Sequence, residues 1–314
     1  MKSVRHFLDL RDCTIAEVQR ILAIADELKV GYFRGERPVL LERKVLGMIF
    51  EKMSLRTRVS FEAGMAHLGG SSIMLEEQHI GFGKREPVND IGHVLSSMVD
   101  AIIFRAKSHE SVVELAKYCT CPVINALTDR SHPCQALADM MTVREEFGHF
   151  DGVKIVWVGD SNNVAASLIE AAAKLGGEVV ISSPKGYRFS DADLALFTSG
   201  ETHPDFVLRQ ESNPAKAVAG AQVVCTDVWV SMGQEKEEAE RRKAFADYQV
   251  NEALMSNAAS DAIFMHCLPA RRGLEVTSGV IDGPCSRIVQ EASNRMHAQK
   301  GLLVWLLNEA QPSE

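Results

Sequence analysis

Apolar, strand-like runs alternate with helical patterns along most of this chain, and that alternation restricts the fold more than any other feature. Strand candidates at 44–50, 71–75, 100–104 and 122–125 are separated by helical patterns at 57–68, 87–98 and 111–119. Strand and helix taken in turn predict an α/β domain with a mainly parallel sheet. Before the first strand, Thr14-Ile15-Ala16-Glu17 reads as a capping box ahead of Val18, Ile21, Leu22 and Ala25, so a helix should run to about Lys29.

The alternation restarts after Gly148-His149-Phe150-Asp151-Gly152, with strands expected at 153–158, 178–182, 222–225 and 262–265. The restart predicts a second α/β domain. A last helix near 286–309 carries Ile288, Val289, Ala292, Met296 and the run Leu302 to Leu307, which is too apolar to stay exposed. It should dock back onto the first domain.

A length of 314 residues with 46% hydrophobic content supplies core material for two domains. The net charge of −8 disfavours a general role on nucleic acid or anionic membrane, so positive charge has to be concentrated locally to matter. Seven cysteines without a C-x-x-C pair, no long apolar N-terminal region and no run approaching ~18 apolar residues predict a reduced, cytoplasmic protein, neither secreted nor membrane-spanning.

The chemistry concentrates in a few segments. Strand 44–50 flows into Glu51-Lys52-Met53-Ser54-Leu55-Arg56-Thr57-Arg58, where a helix start, hydroxyls and the guanidinium groups of Arg56 and Arg58 should converge on a phosphate dianion. The plain alternative is that Ser54 caps the helix and the arginines lie on a solvated face. Arg105 follows strand 100–104 at the carboxyl edge of the sheet, where open α/β folds bind ligands, a plain surface arginine being the alternative. His132 and Gln135 should face the same edge, with Pro133 at the first helical position of Ser131-His132-Pro133-Cys134-Gln135.

In the second half, Val158-Gly159-Asp160-Ser161-Asn162-Asn163 follows a strand but lacks the three-glycine dinucleotide fingerprint, which argues against a nicotinamide enzyme. Asn163 either caps the next helix or presents its amide to a polar substrate. Asp227, at the head of Asp227-Val228-Trp229-Val230-Ser231-Met232-Gly233, could hold an ammonium group. Cys267 in His266-Cys267-Leu268-Pro269 is more often a buried small hydrophobe than a reactive group. A zinc set of His132, Cys134, His266 and Cys267 does not match the usual chelating spacings, and a Cys267–His132 thiol hydrolase leaves the arginines unexplained.

Together these motifs resemble the ornithine carbamoyltransferases: S-x-R-T-R at 54–58, Arg105, H-P-C-Q at 132–135, D-V-W-V-S-M-G at 227–233, H-C-L-P at 266–269 and Asn294-Arg295-Met296-His297. The resemblance implies a carbamoyl phosphate-binding domain over 1–148, completed by the C-terminal helix 286–314, and an ornithine-binding domain over 149–285. Two interdomain helices, near 133–147 and 286–309, would join them. It implies a homotrimer and no cofactor, because phosphate is already a good leaving group. By motif position, Ser54, Leu55 (through its backbone), Arg56, Thr57, Arg105, His132, Pro133, Cys134, Gln135, Cys267, Leu268 and Arg295 would bind carbamoyl phosphate. Asn163, Asp227, Ser231 and Met232 would bind ornithine, and Arg105, His132 and Cys267 would serve the reacting atoms.

Three departures from the family pattern stand out. Leu55 replaces a frequent threonine or methionine, Gly81 stands where a glutamine or histidine usually reaches carbamoyl phosphate, and Asp90-Ile91-Gly92-His93 replaces D-T-A-R. His79 or Lys84 is expected to supply the contact missing at Gly81. Aspartate, putrescine and N-acetylornithine carbamoyltransferases, and an inactive scaffold of the same fold, are the competing readings.

Overall fold

The structure is a computed structural model that describes residues 4–76, 86–230 and 235–310. It divides into two compact units, residues 1–138 with 293–314 and residues 139–292. The divisions fall inside the two helices over 133–147 and 288–304.

In the first unit the chain runs α1 (Ile15–Phe33), β1 (Val45–Phe50), α2 (Leu55–His67), β2 (Ser71–Glu76), α3 (Val88–Ser96), β3 (Ala101–Arg105), α4 (His109–Tyr118) and β4 (Val123–Leu127). α1 opens on the expected reciprocal cap between Thr14 and Glu17. It continues a turn past Lys29 because the stop signal is Gly35, whose φ of 82° is the left-handed conformation that closes helices. The four strands are all parallel, in the order β2-β1-β3-β4. Phe50 pairs with Arg105 and Arg105 with Leu127, so β1, β3 and β4 end together. The order reverses between β1 and β3, which opens a crevice at their carboxyl ends.

The core of this unit is built from Ile49, Ile102, Phe104, Val112, Leu115 and Val123, all fully buried. Each such side chain contributes about 1.5–3 kcal/mol. Within the Asp90-Ile91-Gly92-His93 departure, the glycine has a packing reason: a Cβ at Gly92 would lie 2.8 Å from the Tyr118 Cβ, so α3 and α4 meet at a glycine. The expected docking of the last helix is found within this unit, where Lys29 donates to Asn294 and Arg20 to Glu309.

Both linking segments are helical: α5 covers Pro133–Phe147 and, after the second unit, the last helix covers Ile288–Val304 with a π turn over Trp305–Glu309. The second unit contains β5 (Lys154–Val158), α6 (Asn163–Leu175), β6 (Glu178–Ser182), α7 (Asp191–Phe197), β7 (Val207–Gln210), α8 (Pro214–Val218), β8 (Val223–Thr226), α9 (Glu238–Ala244), α10 (Glu252–Met255), β9 (Ile263–His266) and α11 (Ser278–Ile281); the last helix is α12. Its sheet is parallel throughout, in the order β7-β6-β5-β8-β9. β7 has no counterpart among the expected strands, because it is a four-residue edge strand ending in Arg209 and Gln210. The order reverses between β5 and β8, placing the ends at Val158 and Thr226 beside a second crevice. Among the described residues no helix is long and apolar enough to cross a membrane.

Candidate active site

In the first unit the site grows from the start of α2. Ser54 takes an extended conformation and its hydroxyl accepts from the Thr57 amide at 3.3 Å, a standard N-cap. The first-turn amides of a helix have no intrahelical acceptor, so they and the dipole face an anion placed there. Leu55 points its side chain outward, 75% exposed, and brings only its backbone to this turn. Arg58 also leaves the site: its Nε pairs with Glu62 at 3.1 Å on the exposed face, as i,i+4 spacing allows, so the expected convergence of both arginines is not found at Arg58, while Arg56 is near enough to His132 to act on its ring.

Thr57 is completely buried and gathers the cations. Arg295 donates to its hydroxyl oxygen at 2.8 Å, Ser54 at 3.0 Å and Arg105 at 3.5 Å. The other terminal nitrogen of Arg295 donates to Gln135 Oε1 at 3.1 Å. Gln135 is presented by the first turn of α5, which starts at Pro133 as expected, and its amide is capped by the His132 carbonyl.

Burial, then Arg295, Arg105 and Arg56, push the His132 imidazole well below its ordinary pKa. All the electrostatic causes are guanidinium groups of this unit. The ring is therefore neutral at physiological pH, suited to donate a hydrogen bond to an oxygen gaining negative charge. Lys52, which the motif contained but the reading did not assign, belongs to the same field: burial and the proximity of Arg105 lower its pKa. Cys134 is different, for its thiol donates to the Asn125 carbonyl at 3.4 Å and burial drives its pKa to about 12. The sulfur is committed to the fold, which leaves Cys134, like buried Pro133, only its backbone to offer.

In the second unit, Asp227 follows β8 and is buried at the β5–β8 crevice. Its carboxylate accepts from the Val228 amide at 2.8 Å, from the Cys267 thiol at 3.3 Å and from the Asn162 side chain at 2.8 Å. The helix cap falls to Asn162 rather than Asn163, since its Oδ1 accepts from Val164 and Ala165 while its amide end holds Asp227. Asn163 occupies the first helical position beside it. Asn162 carries no signal of its own in the sequence, because two adjacent asparagines are equivalent until the helix start is fixed.

Burial, together with the carboxylates of Asp227, Glu291 and Asp139, pushes the Cys267 thiol well above its ordinary value. It is a thiol rather than a thiolate, poorly suited to act as nucleophile or base. Leu268 takes a left-handed conformation, φ 57°, unusual for a leucine, and its amide donates to His266 Nδ1 at 2.9 Å. That contact makes Nε2 the protonated nitrogen of His266, facing Glu275 at 3.4 Å. Ligating atoms of Asp227, His266 and Cys267 lie within 4.8 Å of one another. Each is already engaged in the hydrogen bonds above and the thiol is held protonated, so the set is built for hydrogen bonding rather than ligation. Ser231, Met232 and Gly233, and the loop with His79, Gly81 and Lys84, lie outside the described residues.

Comparison with known proteins bears on both units. Residues 5–145 match the family model for the aspartate/ornithine carbamoyltransferase carbamoyl-P binding domain, and 151–306 the model for the Asp/Orn binding domain. The chain is 50% identical to the ornithine carbamoyltransferase of Anoxybacillus flavithermus over 303 residues, 96% of each protein. It resembles the solved ornithine carbamoyltransferase from Pyrococcus furiosus with a TM-score of 0.89 at 48% identity, covering 96% of this chain and 97% of that one. The mitochondrial ornithine carbamoyltransferase from Coccidioides immitis gives a TM-score of 0.90 at 34% identity, covering 99% of this chain and 100% of that one.

Proposed function

This chain belongs to the aspartate/ornithine carbamoyltransferase family, and we propose that it transfers the carbamoyl group of carbamoyl phosphate to the δ-amine of L-ornithine, giving L-citrulline and phosphate. The observation that carries the reading is the meeting of Arg295 and Arg105 on Thr57 in the field that keeps His132 neutral. Such a cationic recess suits a dianion, and a neutral imidazole beside it suits a carbonyl oxygen.

In this reading Ser54, Leu55, Arg56 and Thr57 cradle the phosphate by hydroxyl, backbone and guanidinium groups. Arg105 bridges phosphate and carbamoyl oxygen, His132 donates to that oxygen, Gln135 and the Leu268 backbone hold the carbamoyl amide, and Arg295 sets Thr57 and Gln135 in place. The described hydrogen bonds at Thr57 Oγ1 use the oxygen as acceptor, so its own proton is the one to meet the substrate. The ornithine nitrogen forms its bond to the carbamoyl carbon as the bond to the phosphate oxygen breaks, and no covalent enzyme intermediate intervenes. Each donor to the developing oxyanion is worth about 10²–10³ in rate.

Asp227 receives the α-ammonium of ornithine, with Asn163, Ser231 and Met232 completing the amino-acid grip. The raised pKa of Cys267 supports a role as neutral neighbour of the δ-amine, which leaves Asp227 or the departing phosphate to accept the amine proton. An acid at 227 favours a free α-ammonium over N-acetylornithine, whose acetylation removes the charge. Residues 1–148 with the last helix then form the carbamoyl phosphate half and 149–285 the ornithine half. A homotrimer goes with this reading and is supported by Met53, Leu55 and Val59, exposed together around the start of α2. A cytoplasmic location is supported by seven cysteines that are all free.

Calorimetry on the full chain tests both halves. Carbamoyl phosphate should bind wild type and Asp227→Ala alike, and L-norvaline, ornithine without its δ-amine, should bind only wild type in its presence. An inactive scaffold need bind neither, whereas an enzyme must bind both, and norvaline binding to Asp227→Ala would refute the amino-acid site.

A further inference from the structure

Ser131, the residue before His132, belongs to a buried polar network that has no role in the proposed reaction. Asp9, 1% exposed, accepts from the Ser131 hydroxyl at 2.5 Å through Oδ1. Its Oδ2 accepts from Arg11 at 2.7 Å and faces His109 Nε2 at 3.3 Å. His109, equally buried, lies 3.1 Å from the Thr128 hydroxyl through Nδ1, and its backbone amide donates to Asp129 at 2.8 Å. Asn125 donates to the Ser131 hydroxyl at 2.8 Å and to the Leu8 carbonyl at 3.0 Å.

These contacts enclose one short loop. The Thr128 amide donates to the Ser131 carbonyl at 2.9 Å and the Ser131 amide to the Thr128 hydroxyl at 3.2 Å, closing residues 128–131 on themselves. The next residue is His132, followed at once by Pro133 and α5. Asp9 is brought there by the N-terminal segment, which runs along β4: Phe7 donates to Val123 at 2.9 Å and Asn125 to Phe7 at 2.8 Å. Burial disfavours a charged Asp9, yet the hydrogen bonds from His109 and Ser131, with Arg11, hold its carboxyl below the usual range. The carboxylate is thus a fixed anchor for the loop.

We infer that Asp9 and His109 are positioning residues, which fix the 128–131 loop and thereby aim the His132 imidazole at the carbamoyl oxygen. The inference rests on the role given to His132 above. Hydrogen bonds inside a closed loop fix its shape but not its placement, whereas the Asp9–Ser131 and His109–Thr128 contacts tie both its ends to separate elements, the N-terminal segment and α4. A misplacement near 1 Å at a reacting group costs about 10²-fold in rate.

The test measures kcat, the ornithine KM and the Kd for inorganic phosphate on the full chain, in Asp9→Asn, Ser131→Ala, His109→Ala, His109→Gln and His132→Asn, and in the Asp9→Asn/His132→Asn double variant. Asp9→Asn and Ser131→Ala should lower kcat by about 10²-fold with phosphate Kd and ornithine KM unchanged. His109→Gln, which keeps a donor toward Asp9, should recover much of what His109→Ala loses. In the double variant the losses should not multiply, because Asp9 acts through His132. Ser131→Ala removes a single hydroxyl and reports even if Asp9→Asn does not fold. Wild-type kcat in Ser131→Ala, phosphate affinity falling in step with kcat, or fully multiplicative losses would each overturn the inference. Wild-type kcat in His132→Asn would instead strike at the role of His132 itself, and the inference would fall with it.

Discussion

Arg295 donates to the Thr57 hydroxyl oxygen at 2.8 Å although the two residues stand 238 positions apart in the chain. The last helix is therefore part of the first unit's site as well as of its core. Because the second terminal nitrogen of Arg295 holds Gln135, one planar group sets the Thr57 and Gln135 side chains at once.

Arg295→Lys keeps the charge and loses that fork. We expect kcat to fall by about 10²-fold or more and carbamoyl phosphate binding to weaken, with the ornithine KM little changed. Steady-state kinetics checks this, and wild-type rates in the lysine variant would contradict it.

The thiol of Cys267 is held protonated by burial and by Asp227, Glu291 and Asp139. Its titration lies above its ordinary value of 9.0, so Cys267→Ala should keep the shape of the kcat profile between pH 6 and 8.5 while raising the ornithine KM. A limb of the profile that disappears with the sulfur would identify Cys267 as the group that takes the proton.

Arg241 ties two loops of the second unit together, donating to Asp160 at 2.9 Å and to the Trp229 carbonyl at 3.0 Å. Asp160 stands two residues before Asn162, and Trp229 two after Asp227. Burial raises the Asp160 pKa even though Arg241 works against it. Arg241→Met should destabilise the protein by about 3–5 kcal/mol and raise the ornithine KM. Adding Asp160→Asn should recover part of the stability, since the uncompensated buried charge is gone. Thermal unfolding of the single and double variants decides the point.

Lys300 is 98% buried, with its ammonium 5.4 Å from the Tyr32 ring and no carboxylate partner among the described residues. Burial, and then Arg37, lower its pKa from 10.5 to about 8. The native state releases this proton before the unfolded chain does, so stability should rise with pH between about 8 and 10.5 and carry the full cost below that window. Lys300→Met, which keeps the volume, should raise the melting temperature at pH 7 and lose that advantage toward pH 10.5. A gain that does not vary with pH would show that packing, not charge, is responsible.

Much of the fold is legible because parallel strands are apolar along their length: Val45–Phe50 and Lys154–Val158 sit within a residue of their expected bounds. β7 was hidden by the opposite property, a short edge position where Arg209 and Gln210 carry no apolar signal. At the site, residues clustered in sequence were readable, as with Ser54 through Thr57 and His132 through Gln135. What sequence could not supply is direction. Arg56 and Arg58 are two residues apart on one helix and face different surroundings; Asn162 and Asn163 divide capping and first-turn roles that one residue of register decides. The Asp9–His109–Ser131 network was unreadable for a further reason: its members come from three distant segments and share no motif.

The decisive assay is citrulline formation by the purified full chain from carbamoyl phosphate and L-ornithine, with aspartate, putrescine and N-acetylornithine as parallel acceptors. The proposed function requires turnover with ornithine and its loss in Asp227→Ala while carbamoyl phosphate still binds. Turnover with another acceptor in place of ornithine, or ornithine turnover undiminished in Asp227→Ala, would contradict it.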